Sequence, residues 1–208
     1  MKLVLALWVG YFLGAVPTAY IFGRVYKGID IRKHGSGNVG ATNVFRVLGK
    51  WPGTIVLALD ILKGVLAVTF VGDIFGLTQV WHRVVLALVV VSGHNWTVFL
   101  DFKGGKGIAA SLGALIGLTL KIAVIRPVLL FTLLIWLVVF LSTGFVSLAS
   151  VVAAVFLPII MVLTNQTFPL VVLGVIFCVF VVARHRPNIK RLRAGQEPRV
   201  FLPYFKKK

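Results

Sequence analysis

Long apolar runs separated by short polar, often basic segments organise this chain. Residues 3–23 carry no charge, and residues 127–183 are 57 consecutive positions without one charged side chain. A bilayer crossing takes ~20 residues, so the longer run divides into three. Its breaks fall at Ser142-Thr143-Gly144 and at 164–169, where turn formers and proline cluster. The pattern predicts seven helices, at about 3–23, 51–71, 84–94, 108–120, 127–142, 145–163 and 168–184. A polar loop at 24–50, a short turn at 72–82, a glycine-rich turn at 93–107 and a basic tail at 184–208 separate and follow them. The first run is longer than a signal-peptide core and lacks a clear small-residue cleavage site, so a retained helix is expected.

Composition turns these helices into membrane spans. With 59% hydrophobic residues and a mean hydropathy of +1.01 over 208 residues, the expected fold is an all-α integral membrane protein with seven transmembrane helices and a single polytopic domain, 1–208. A net charge of +17 in a soluble chain would suggest nucleic acid. Here 17 of the 22 Lys and Arg residues lie in the loops 24–50 and 92–107 and in the tail, whereas the N-terminus and the opposite loops hold Lys2, Arg83, Lys121 and Arg126. The positive-inside rule places the N-terminus outside and the C-terminus in the cytoplasm. No nucleic-acid partner is expected. The lone cysteine, Cys178, lies within an apolar run and offers neither an internal disulfide nor a cysteine metal site.

The polar segments 34–46, 93–107, 142–150 and 184–197 all fall on the side assigned to the cytoplasm. Their glycines, asparagines and serines exceed what solvation needs, and they point to a site at the membrane surface. Gly104-Gly105-Lys106-Gly107 opens a helix at Ile108, and such a turn suits an anion because unobstructed backbone N–H groups can approach phosphate oxygens. It is not a nucleotide P-loop, since Lys106 is followed by glycine and position 100 is Leu. The competing reading is an ordinary turn with one anchoring lysine. The stretch His34–Asn43 contains G-x-G-x-x-G, but no strand precedes it and Asp60, 20 residues after Gly40, lies in a helix, so a dinucleotide fold is excluded. What remains is an anion-nest backbone with Ser36, Asn38, Thr42 and Asn43 as partners. Arg46 suits a bidentate phosphate clamp or, alternatively, a membrane anchor.

In the tail, His185 and Asn188 are candidates for proton transfer and hydrogen-bond positioning. Ser147 and Ser150 either add hydroxyls or cap a helix. Asp60 and Lys63, spaced i and i+3 in mid-helix, are either a proton or ion relay or a neutralised structural pair. The acidic residues number five, no His-x4-Asp occurs, and no carboxylate cluster suits magnesium. A basic, metal-free and cofactor-free site is expected.

Taken together, Gly35–Asn43, Gly93–Gly107 and His185–Glu197, in order along seven helices, resemble the bacterial acyl-phosphate:glycerol-3-phosphate acyltransferase family. The resemblance covers essentially the whole chain. It implies transfer of a fatty acyl group from acyl phosphate to the 1-hydroxyl of glycerol 3-phosphate at the cytoplasmic face of the bacterial inner membrane, giving lysophosphatidate and orthophosphate. It further implies catalytic roles for Ser36 and Arg46, a glycerol-3-phosphate site at Gly104, Gly105, Lys106 and Gly107, support of activity by His185 and Asn188, and a structural Glu197. Asn38, Thr42, Asn43 and Ser150 complete the expected substrate contacts. The partners would be the two substrates and the lipid bilayer, and oligomeric state is not legible. Pro187, where an acidic or polar residue is often expected, and the Phe-Lys-Lys-Lys end are departures from the family pattern. The rival class is a transporter or flippase for a small phosphorylated solute, drawn from Asp60 and Lys63 in mid-membrane, against which stands the lack of an apparent inverted repeat.

Overall fold

The structure, a computed structural model, describes residues 1–200, and the final Phe-Lys-Lys-Lys lies outside the described residues. Among the described residues all regular structure is helical, and the chain divides into two compact units, 1–123 and 124 onward.

The first unit contains α1 (Lys2–Ala15), α2 (Thr18–Lys27), α3 (Ala41–Val47), α4 (Lys50–Leu66), a π-helical segment (Ala67–Val71) running into α5 (Gly72–Ile74), α6 (Val80–Asn95) and α7 (Ile108–Lys121). The expected first helix is interrupted at Val16-Pro17, because proline cannot donate the helical N–H. Glycines set how closely the helices approach. A Cβ at Gly14 would overlap the Val90 carbonyl, and one at Gly93 the Tyr11 carbonyl, so α1 and α6 meet backbone to backbone. Likewise a Cβ at Gly64 would overlap the Ala110 carbonyl and one at Gly113 the Ile61 carbonyl, joining α4 to α7. In an apolar solvent this van der Waals packing replaces the hydrophobic drive as the force between helices.

The π segment has an identifiable partner. Widening a helix leaves carbonyls without their usual donors, and the buried Arg83 guanidinium supplies them. Its Nη1 donates to the carbonyls of Val68 and, at 3.0 Å, Thr69, while Nη2 reaches Asp73 at 2.6 Å. Lys121 Nζ meets the other Asp73 oxygen at 2.5 Å, so α5, α6 and the end of α7 share one carboxylate.

The second unit contains α8 (Arg126–Thr143), α9 (Val146–Leu163), α10 (Phe168–Arg184) and α11 (Arg186–Arg193). Gly144, at φ +73°, ends α8 in the left-handed conformation that glycine adopts without a Cβ penalty. Pro158 lies inside α9, and a Cβ on Gly174 of α10 would stand 3.2 Å from the Pro158 Cα, so α10 lies close against the helix at its proline.

Five helical stretches are long and apolar enough to cross a bilayer, at 2–27, 50–74, 80–100, 123–143 and 146–163. The pair α10–α11, bent by 59°, makes a sixth if counted as one. The remaining expected span is α7. Its 14 residues extend only ~21 Å at ~1.5 Å each, short of the ~30 Å hydrocarbon layer. The chain is therefore a multi-pass membrane protein, all-helical and with five or six full-length spans by length and composition among the described residues.

Candidate active site

In the first unit the fold brings the two glycine-rich segments together. The loop before α3 is fixed from below by Asp30, which accepts from the Arg32 backbone N–H at 3.0 Å and pairs with its guanidinium at 2.8 Å. Those Arg32 hydrogen bonds, set against the cost of burial, bring the Asp30 pKa down to about 2. Asn43 is buried and its side chain is committed to the loop. Nδ2 donates to the carbonyls of Ile31 and His34 at 3.3 and 3.0 Å, and Oδ1 accepts from the Ser36 N–H at 2.8 Å. Asn43 thus shapes the loop that presents Ser36. Gly35, at φ +60°, has no room for a Cβ against that same Asn43 oxygen. Ser36 and Arg46 are exposed, and Asn38 and Thr42 are half-buried.

The second loop descends from α6 through Thr97, whose hydroxyl donates to the Ala15 carbonyl at 2.6 Å. Asp101 and Phe102 are consecutive non-glycine residues at φ +52° and +59°. Such residues cost about 1–3 kcal/mol each, so the surroundings must over-determine them. The Phe102 N–H donates to Thr97 O at 2.9 Å and the Lys103 N–H to Leu100 O at 2.9 Å, holding the chain in that shape. The turn beyond differs from expectation in one respect. The N–H groups of Gly104 and Gly105 donate to the carbonyls of Asn95 and His94, at 3.1 and 3.0 Å, instead of pointing outward at an anion. A Cβ on Gly104 would overlap the His94 carbonyl. One on Gly105 would overlap His94 Nε2 and stand 2.8 Å from the Val39 carbonyl of the other loop. These glycines are required by the junction of the two loops. Lys106 is half-buried, Gly107 follows at φ +82°, and the first turn of α7 has no side-chain cap.

Three buried residues behind this turn had no role assigned from the sequence: Thr18, His94 and Asn95. Asp60 Oδ1 accepts from Thr18 at 2.7 Å, meets Lys63 Nζ at 2.8 Å and lies 3.5 Å from His94 Nδ1. Lys63 also donates to the Val16 carbonyl at the α1–α2 break, at 3.2 Å. The Asn95 amide lies against Gly107, where a Cβ would be 2.6 Å from its oxygen, and is fully buried. The G-H-N sequence ahead of the turn was the visible signal, but its meaning depends on neighbours distant in the chain. Among the described residues no three His, Cys, Asp or Glu side chains cluster as a metal site would require.

In the second unit Glu197 organises the tail. Its Oε1 accepts from Ser147 at 2.7 Å and Asn188 at 2.6 Å, and its Oε2 from Arg191 at 2.8 Å. The Val200 N–H donates to the Gly144 carbonyl at 2.9 Å, so the tail lies back on the start of α9. Asn188 is thereby held by the carboxylate. His185 is buried, and Nδ1 lies 2.8 Å from the Val181 carbonyl. A carbonyl only accepts, which puts the proton on Nδ1 and leaves the lone pair of the neutral ring on Nε2. Ser150 donates to the Val146 carbonyl within α9 at 2.8 Å and accepts from Trp136 at 3.3 Å, a bond that ties α8 to α9.

Burial opposes the charge on Glu197, but the bonds from Asn188, Ser147 and Arg191 outweigh it and hold its pKa below the usual glutamate range. A depressed carboxyl pKa contributes stability that is present above the unfolded value, ~4.3 for Glu, and is lost as pH falls through the folded one. Glu197→Gln is therefore expected to loosen the tail at neutral pH, and the wild type to do so only on acidification below ~4. Hydrogen exchange of residues 194–200, corrected for intrinsic rate, checks this. Equal protection in mutant and wild type at pH 7 would contradict it.

Comparison with known proteins follows the same boundaries. A family model described as glycerol-3-phosphate acyltransferase matches residues 4–195. The glycerol-3-phosphate acyltransferase 2 of Moorella thermoacetica is 44% identical over 195 residues, covering 93% of this chain and 95% of its own. The glycerol-3-phosphate acyltransferase of Carboxydothermus hydrogenoformans is 40% identical over 198 residues, covering 95% of this chain and 96% of its own. The crystal structure of PlsY, an integral membrane glycerol 3-phosphate acyltransferase in its glycerol 3-phosphate form, superposes with a TM-score of 0.87. Its sequence identity is 35%, over 97% of this chain and 96% of that one. A lysophosphatidic acid form of PlsY gives 0.84 at 34% identity. With the model running through both units and the relatives matched almost end to end, this chain belongs to the glycerol-3-phosphate acyltransferase family.

Proposed function

We propose that this protein transfers a fatty acyl group from acyl phosphate to the 1-hydroxyl of glycerol 3-phosphate. It would act at the cytoplasmic face of a bacterial inner membrane, as one membrane domain with the N-terminus outside and the short α7 completing seven crossings. The contact between the Ser36–Arg46 loop and the Gly104–Gly107 turn at Val39 and Gly105 carries the reading. It sets two anion-suited segments side by side in a member of this family, and the reaction joins two phosphate-bearing substrates. The matching of the chain to PlsY in forms named for glycerol 3-phosphate and lysophosphatidic acid supports the acceptor and the product.

The chemistry suits basic and hydroxyl side chains. The glycerol hydroxyl oxygen forms the new ester bond at the acyl carbon, the bond from that carbon to the phosphate oxygen breaks, and the electron pair leaves with phosphate. An acyl phosphate is a mixed anhydride whose phosphate departs readily, so the protein's task is to stabilise the oxyanion and two phosphates. Arg46, Ser36 and Lys106 supply donors for that. Thr42 and Asn38 flank them. The hydroxyl proton passes either to His185 Nε2 or to a phosphate oxygen of the acceptor, whose second pKa, ~6 for phosphorylated side chains, lies near neutrality. His185→Ala flattens the acidic limb of the pH–rate profile in the first case and leaves it in the second. A transport role would draw on Asp60 and Lys63, yet both are engaged with Thr18, the Val16 carbonyl and His94 behind the glycine turn.

Purified protein given acyl phosphate and glycerol 3-phosphate is expected to release lysophosphatidate and orthophosphate in equal amounts. Chelators should leave the rate unchanged, and acyl-CoA should support negligible turnover. Failure to form lysophosphatidate would sink the proposal, and comparable rates from both donors would sink its choice of donor.

A further inference from the structure

The buried carboxylate of Asp60 receives more partners than a neutral pair needs. Lys63, one turn along α4, already balances its charge at 2.8 Å. The same oxygen nevertheless takes the Thr18 hydroxyl from the start of α2 and stands 3.5 Å from His94 Nδ1 at the end of α6. Asp60, Lys63 and His94 are all less than a tenth exposed. A carboxylate on one ring nitrogen fixes the ring's tautomer and orientation, a device familiar from histidines that must present the other nitrogen in a set direction. Here the other nitrogen, Nε2, fills the space beside the Gly105 Cα, and the His94 carbonyl accepts the Gly105 N–H at 3.0 Å. His94 therefore holds the turn from both its backbone and its side chain. Lys106 is the next residue.

We propose that Asp60 and His94 act as a positioning pair for the glycine turn: Asp60 orients the His94 ring, the ring sets Gly105, and Gly105 sets Lys106 toward the phosphate of glycerol 3-phosphate. Neither residue touches substrate. Lys63 pairs with the same Asp60 oxygen and Thr18 fixes which oxygen faces the ring. This rests on the acyltransfer reading and on the assignment of the turn to the acceptor.

The test compares Asp60→Asn, His94→Gln and the double variant, each at equal amounts of folded protein, with KM measured separately for the two substrates. Each single change is expected to raise KM for glycerol 3-phosphate about tenfold, the size of one lost hydrogen bond to a charged group. KM for acyl phosphate and kcat should move less than about threefold, because the donor and the bond-making groups are untouched. The double variant should be no worse than the poorer single one, since both act through one contact chain. Thr18→Val, which removes only a hydroxyl from the Asp60 oxygen, should raise the same KM by a smaller factor. It carries the comparison if Asp60→Asn does not reach the membrane. Unchanged KM for glycerol 3-phosphate in the variants that fold, a rise confined to acyl phosphate, or additive losses would each overturn the proposal. An inactive wild type would instead overturn the acyltransfer reading.

Discussion

Gly105→Ala is expected to cripple the enzyme through the acceptor side. The new methyl group would overlap His94 Nε2 and stand 2.8 Å from the Val39 carbonyl, so a ring braced by Asp60 and a backbone atom of the neighbouring loop must both give way. Local backbone strain of this kind costs ~1–3 kcal/mol, or roughly 5- to 150-fold at ~1.4 kcal/mol per decade. The loss should fall mainly on KM for glycerol 3-phosphate, with a smaller drop in kcat as Lys106 is carried out of register. Steady-state kinetics at matched membrane levels decide it. A variant within twofold of wild type would show that the loop junction tolerates a side chain. If only KM for acyl phosphate rose, the turn would hold the donor, and glycerol 3-phosphate would belong to the Gly35–Asn43 loop.

Lys106→Ala should fail differently. It leaves the turn's internal hydrogen bonds in place and removes a positive charge at the start of α7. A charge-assisted bond that tightens as phosphate charge develops is worth more in the transition state than in the ground state, so kcat should fall ~100- to 1,000-fold, as for loss of one oxyanion donor. Lys106→Arg keeps the charge but not the geometry and should recover only part of the loss. The paired kcat measurements test this. A Lys106→Ala variant with normal kcat and raised KM alone would reduce the lysine to a binding role.

The contrast between these variants marks where the sequence was legible. Most helix positions followed from apolar runs to within a few residues, because in lipid a segment must satisfy its own backbone and so declares itself locally. α10 is Phe168–Arg184 where 168–184 was expected. Features that depend on a distant partner were not legible. The break at Val16-Pro17 is held by Lys63, and the π segment at Ala67–Val71 is completed by Arg83. Both looked like continuous apolar helix. Gly104 and Gly105 are recognisable as special in the sequence, but their packing against His94 and Val39 is not. Asn43 is visible as a polar residue of the loop, but its bonds to the loop's own backbone are not legible from the sequence. In each case residue type was informative and the identity of its neighbour was not.

The i, i+3 placement of Asp60 and Lys63 also bears on how this protein is made. A carboxylate alone in mid-span would resist transfer from water into hydrocarbon, and its other partners, Thr18 and His94, are contributed by other helices. Because Lys63 lies one turn further along the same helix, α4 carries its own counter-ion. The mid-span pair is electrically neutral before any neighbour is in place. Thr18 and His94 can then orient a charge whose insertion never depended on them, and the brace behind the turn can be tuned by mutation without jeopardising the helix's entry into the bilayer.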